Sequence, residues 1–126
     1  MPQHDLSRRE RQILDVIYRL GRATATDVLD QLDDAPTYTT VRGLLRVLEA
    51  KGHIRHDDDG GRYVYHPTVK KERAARLAIK HVIGTFFNDS PSEALAALLG
   101  NAKRLDAAEL ERLAELVEAA RRKERR

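Results

Sequence analysis

At Gly52 the spacing of apolar residues changes from helical to strand-like, and this change of period limits the fold more than any other feature of the chain. Before it, three stretches carry apolar residues at intervals of three and four. The first starts at Ser7-Arg8-Arg9-Glu10, a capping-box pattern, and runs through Ile13, Leu14, Val16, Ile17 and Leu20 to Gly21, which predicts a helix over residues 8 to 20. The second is short, with Thr24 as cap, Val28, Leu29 and Leu32 as its apolar face, and Asp33-Asp34-Ala35-Pro36 as its end. In the third, Thr37 is placed to cap, Val41, Leu44, Leu45 and Leu48 form a buried stripe, and Lys51-Gly52 reads as the C-terminus. After Gly52, alternating residues on either side of Asp59-Gly60-Gly61 predict a β-hairpin that Pro67 closes. Three helices followed by a hairpin is the order of a winged helix-turn-helix, with the second and third helices forming the turn motif and the hairpin the wing.

No linker follows the hairpin. Val69 to Phe87 reads as one long helix, Asn88-Asp89-Ser90 breaks it, and Pro91 begins another, with Glu93 completing a capping box at Ser90 and Gly100 as its stop. Asp106 with Glu109 caps a last helix that trails into the basic Arg121 to Arg126. The chain is therefore expected to be mainly α, with a winged-helix domain at 1–69 and a helical segment at 70–126. Three short amphipathic helices cannot enclose a core by themselves, so their apolar residues need a second surface, and another copy of the chain supplies it most simply. Leu77, Phe86, Phe87, Leu95, Leu98, Leu99, Leu110, Leu113, Leu116 and Val117 are the residues expected at that contact.

Bulk charge does not identify a partner. The net charge is +3, but residues 1–69 carry ten basic against eleven acidic side chains. The local pattern is more telling, because Ala35 to Leu48 contains no acid, and its only charges are Arg42 and Arg46, one helical turn apart. Together with Thr37, Tyr38, Thr39, Thr40 and Gly43 they form the polar face of the third helix and are the candidate contacts to double-stranded DNA; Arg62 beside the hairpin tip is a candidate wing contact. His53, His56 and His66 near Asp57 to Asp59 invite a metal reading, but their spacing fits no metal motif, and polar hairpin residues account for them. No cysteine, nucleophile elbow, phosphate loop or zinc-protease motif is present, so neither catalysis nor a cofactor is expected. Without a long apolar run or a signal-like stretch at Met1 to Asp5, the expected location is cytoplasmic. The rival to DNA binding is a winged helix that binds protein instead, which would favour an apolar or acidic third helix over one bearing two arginines.

Thr37-Tyr38-Thr39-Thr40-Val41-Arg42, running on to Leu48-Glu49-Ala50-Lys51-Gly52, resembles the recognition helix of the penicillinase-repressor (BlaI/MecI/CopY) family. Leu6-Ser7-Arg8-Arg9-Glu10, Arg62-Tyr63-Val64-Tyr65 and Phe86-Phe87-Asn88-Asp89-Ser90 extend the resemblance over nearly the whole chain. It implies a homodimeric repressor on a palindromic operator, with the third helix in the major groove and the C-terminal helices intertwined. Val47 and Gly43 depart from the residues common in relatives, so the resemblance does not carry over an operator sequence. Leu98-Leu99 stands where some relatives are cleaved, and the tail cysteines of copper-responsive relatives are missing. The inducing protease or sensor is therefore not indicated.

Overall fold

The computed structural model describes residues 5–34, 36–101 and 105–125. Six helices and one hairpin follow in the order α1 (Arg8–Leu20), α2 (Ala25–Gln31), α3 (Tyr38–Ala50), β1 (Ile54–Asp59), β2 (Arg62–Pro67), α4 (Lys71–Phe86), α5 (Pro91–Asn101) and α6 (Ala107–Glu124). The chain divides into two compact units, Met1–Leu77 and Ala78–Arg126, with the boundary inside α4. Ala35, the residues before Asp5 and the terminal Arg126, on which parts of the expectations fell, lie outside the described residues.

Local chemistry sets the ends of the elements. Ser7 Oγ accepts from Glu10 N at 3.1 Å while Glu10 Oε1 accepts from Ser7 N at 3.2 Å, which closes both halves of the predicted capping box. Gly21 ends α1 with a φ of 85°, a region that a Cβ disfavours. Thr24 and Asp27 make a second reciprocal box on α2, at 3.1 and 3.0 Å. Asp106 Oδ1 accepts from Glu109 N at 2.8 Å to cap α6.

The core of the first unit is built by Ile13, Leu14, Val16 and Ile17 of α1, Val28 of α2, and Val41, Leu45 and Leu48 of α3, closed from the wing by Ile54 and Tyr65. Each aliphatic side chain buried this fully contributes about 1.5–3 kcal/mol, so truncating Leu45 to alanine should cost about 2–5 kcal/mol. Two backbone hydrogen bonds hold the wing to the helices: Ala23 N donates to Tyr65 O at 2.9 Å, and Tyr65 N donates to Ala23 O at 2.7 Å. The stretch between α1 and α2 thereby lies alongside β2, which fixes where the wing stands beside α3.

Three details differ from the sequence reading. Asp59, placed at the hairpin tip, is not part of the turn; it ends β1 and pairs with Arg62. Gly60 and Gly61, with φ of 62° and 86°, form the whole turn, the two-residue type with both central residues at positive φ. The long helix begins at Lys71 and ends at Phe86 rather than spanning Val69 to Phe87, and α5 passes through Gly100 to Asn101.

Among the described residues of the second unit, the apolar side chains find no enclosed core. No side chain of α4 or α6 is buried. Phe86 is 71% exposed, and Leu98, Leu99, Leu110, Leu116 and Val117 are exposed as well, while Phe87, Leu95 and Leu113 are half-buried. Leu77, the last residue of the first unit, is also exposed. Ile79, Val82, Phe87, Leu95 and Leu98 line an open apolar groove of about 560 Å³.

Candidate nucleic-acid interface

Helix α3 buries Val41, Leu45 and Leu48 and so turns Thr37, Tyr38, Thr39, Thr40 and Arg46 to solvent, with Arg42 and Gly43 half-buried at the edge of that face. Thr37 caps the helix by accepting from Thr40 N at 3.1 Å, and its hydroxyl donates to Thr40 Oγ1 at 2.9 Å. The Thr40 hydroxyl is exposed and, accepting from Thr37, still has its own proton to donate to a phosphate or base-edge acceptor. The first turn holds no acid, so the positive end of the helix dipole is not offset there.

Arg42 is the most constrained of the candidate residues. Its guanidinium lies 5.9 Å from the centre of the Tyr38 ring, one turn earlier on α3, and 6.0 Å from the ring of Tyr63 on β2. The Tyr38 side chain, and after it the nearby Tyr65 and Tyr63, raise its pKa, while burial opposes them. Arg46 is exposed one turn further on, with no hydrogen-bonding or ionic partner among the described residues. Arg62 stands at the start of β2 beside the Gly60-Gly61 turn, exposed and also without an ion pair among the described residues. Tyr38, Arg42, Asp58, Arg62 and Tyr63 line a cleft of about 410 Å³ between α3 and the wing, reached also by Thr24 and Thr26 from the start of α2.

Residues that the sequence reading did not single out as contacts complete this region. His56 stacks on Tyr63 with ring centres 4.1 Å apart and planes at 21°, and Glu49 fixes His56 by accepting from Nδ1 at 2.7 and 2.8 Å. The usable signal was parity: the register pairs His56 with Tyr65 and Asp58 with Tyr63, placing His56 and both tyrosines on one face of the hairpin. The three histidines do not converge. His53 pairs with Asp5 at 3.0 Å, His56 with Glu49, and His66 with Asp57 at 3.6 Å, and no group of three or more metal-ligating side chains exists among the described residues. No helix among them is long and apolar enough to cross a membrane.

Three packed helices, a two-stranded wing locked to them through Ala23, and a cationic face on α3 define a winged helix-turn-helix regulator. The chain belongs to the penicillinase repressor family, whose model matches residues 6–119. It is thus a DNA-binding transcriptional regulator and not an enzyme. Among solved structures, a MarR/EmrR family transcriptional regulator from Acinetobacter sp. ADP1 is similar in fold, at TM-score 0.51 and 19% identity over 96% of this chain and 78% of that one. BpsR of Bordetella bronchiseptica aligns at TM-score 0.49 and 18% identity over 95% of this chain and 78% of its own. A MepR mutant from a multidrug-resistant S. aureus isolate aligns at 0.49 and 21% over 98% and 83%. Comparison with curated proteins gives no significant match.

Proposed function

We propose that the protein represses transcription as a homodimer bound to a palindromic operator, with α3 of each copy in the major groove and the wing on the adjacent backbone. The observation that carries this reading is the solvent face of α3, where Arg42, Arg46 and the hydroxyls of Thr37 to Thr40 stand together with no acid among them. Arg46, with no partner among the described residues, suits bidentate contact to a guanine edge. Thr39, Thr40 and the free amides of the first turn suit phosphate, and Gly43, lacking a side chain, lets the groove wall approach the helix. Arg62 suits phosphate or the minor groove beside the wing.

The near-neutral charge of residues 1–69 gives one wing domain little general attraction for DNA. Pairing through the tail makes the second contact intramolecular, which can raise affinity about 10²- to 10⁴-fold. The exposed apolar residues of α4, α5 and α6 supply the surface for that pairing, since so much apolar area in water is costly until covered. The boundary proposed between the DNA-binding and pairing parts lies at residues 69–70, with Leu77 assigned to the pairing part.

The test compares the full chain with one ended at Val69, both titrated against the same palindromic duplex at one salt concentration. The expected result is a loss of about 10²-fold or more for the shortened chain, provided that circular dichroism shows it folded. Binding within threefold of the full chain would reject pairing as the source of affinity.

A further inference from the structure

We propose that Tyr63 of the wing is a positioning residue for DNA recognition, holding the Arg42 guanidinium of the recognition helix against Tyr38 in the pose in which it meets DNA. The inference rests on the reading of Arg42 as a DNA contact and adds what fixes its orientation. An arginine near the surface ordinarily loses several free rotors when it binds, and that entropy weakens each contact it forms. Here two aromatic rings from different elements flank the guanidinium at 5.9 and 6.0 Å, a separation at which the ring quadrupole attracts a cation.

Tyr63 is itself held by a neighbour on the wing. His56 stacks on it at 4.1 Å, and the Glu49 carboxylate accepts from His56 Nδ1, so the imidazole is fixed in both tilt and tautomer. Glu49 belongs to α3, the same helix that carries Arg42, two turns nearer its N-terminus. The contacts thus leave α3 at Glu49, cross His56 and Tyr63 of the wing, and return to α3 at Arg42. A movement of the wing relative to α3 would therefore move Arg42 as well, and the wing influences what α3 reads even where it does not touch the DNA.

The test uses the full chain and four variants: Tyr63→Leu, Tyr63→Phe, Arg42→Ala, and Tyr63→Leu combined with Arg42→Ala. Two quantities are measured. One is the NMR shift of the Arg42 Nε–Hε group in the free protein, displaced by the ring currents of its two neighbours. The other is affinity for duplexes enriched from a random pool by the wild-type chain. The ring-current displacement is expected to diminish in Tyr63→Leu and persist in Tyr63→Phe. Affinity should fall about two- to fivefold in Tyr63→Leu, stay near wild type in Tyr63→Phe, and show no further loss when Tyr63→Leu is added to Arg42→Ala. An equal loss from Tyr63→Leu with and without Arg42 would overturn the positioning role while leaving Arg42 as a contact. Undiminished binding by Arg42→Ala would overturn both the assignment of Arg42 to the interface and the inference built on it.

Discussion

Lys51, at the C-terminal cap of α3, donates to the Glu10 carboxylate of α1 at 2.7 Å, and this is the same carboxylate that closes the α1 capping box at Ser7. One buried acid thus ties the start of the first helix to the end of the recognition helix. The hydrogen bond from Lys51, helped by those from Ser7 and opposed by burial, holds the Glu10 carboxyl below its ordinary value of 4.5. Because the folded form then binds its proton less readily than the unfolded form, the stability Glu10 contributes is complete above the ordinary value and is lost as pH falls through the lower folded value.

Glu10→Gln should therefore lower stability near neutral pH and flatten the acid side of the stability curve. Lys51→Met, which strands the carboxylate, should cost about 1–3 kcal/mol. Thermal unfolding followed from about pH 7 to about pH 2 checks both. An acid limb in Glu10→Gln as steep as in the wild type would show that other carboxylates govern it.

Gly61 sits at φ 86° in the two-residue turn, where a Cβ meets no neighbour but the backbone conformation itself resists an L side chain. Gly61→Val should cost about 1–2 kcal/mol for that reason alone. It should also displace the adjoining Arg62, so weaker DNA binding at conditions where the variant is fully folded is the expected result. Unchanged affinity would argue against a wing contact at this end of β2.

Arg46→Ala should lower affinity by about 1–3 kcal/mol for the preferred sequence, with less effect on mixed-sequence DNA, if the side chain reads a base. Equal losses on both would assign it to the backbone instead, and a salt dependence reduced by about one unit of slope would accompany that outcome. Paired titrations at several salt concentrations distinguish the two.

Leu116 is exposed and Leu113 half-buried on α6, on the stripe proposed for pairing. Neither Leu113→Asp nor Leu116→Asp should unfold the first unit, whose core they do not enter, but each should shift the chain toward monomer because a carboxylate in an apolar contact is costly. Sedimentation velocity reads the result. A stable dimer carrying both substitutions would remove α6 from the proposed contact.

What was legible in the sequence was local. Ser7 with Glu10, Thr24 with Asp27 and Asp106 with Glu109 are contacts three residues apart, so chain spacing alone forecast the starts of α1, α2 and α6. Asp59 misled because aspartate suits a turn, whereas Gly60-Gly61 sets a register that carries it into β1. Gly100, read as the stop of α5, stands one residue before its last, Asn101, so the end of that helix was legible to within a residue. The link of Tyr63 and His56 to Arg42 was not legible because it depends on how the wing sits on α3. That placement is set by the Ala23–Tyr65 hydrogen bonds, which no spacing rule reveals.

The central claim, a paired regulator that reads DNA sequence, is tested most directly by selecting duplexes from a random-sequence pool with the full-length chain and sequencing what is retained. The account predicts enrichment of an inverted repeat whose half-sites are separated, centre to centre, by a helical turn or a small multiple of it, about 10–10.5 base pairs each. Retention of unrelated sequences, or of a single half-site without its inverted copy, would contradict it.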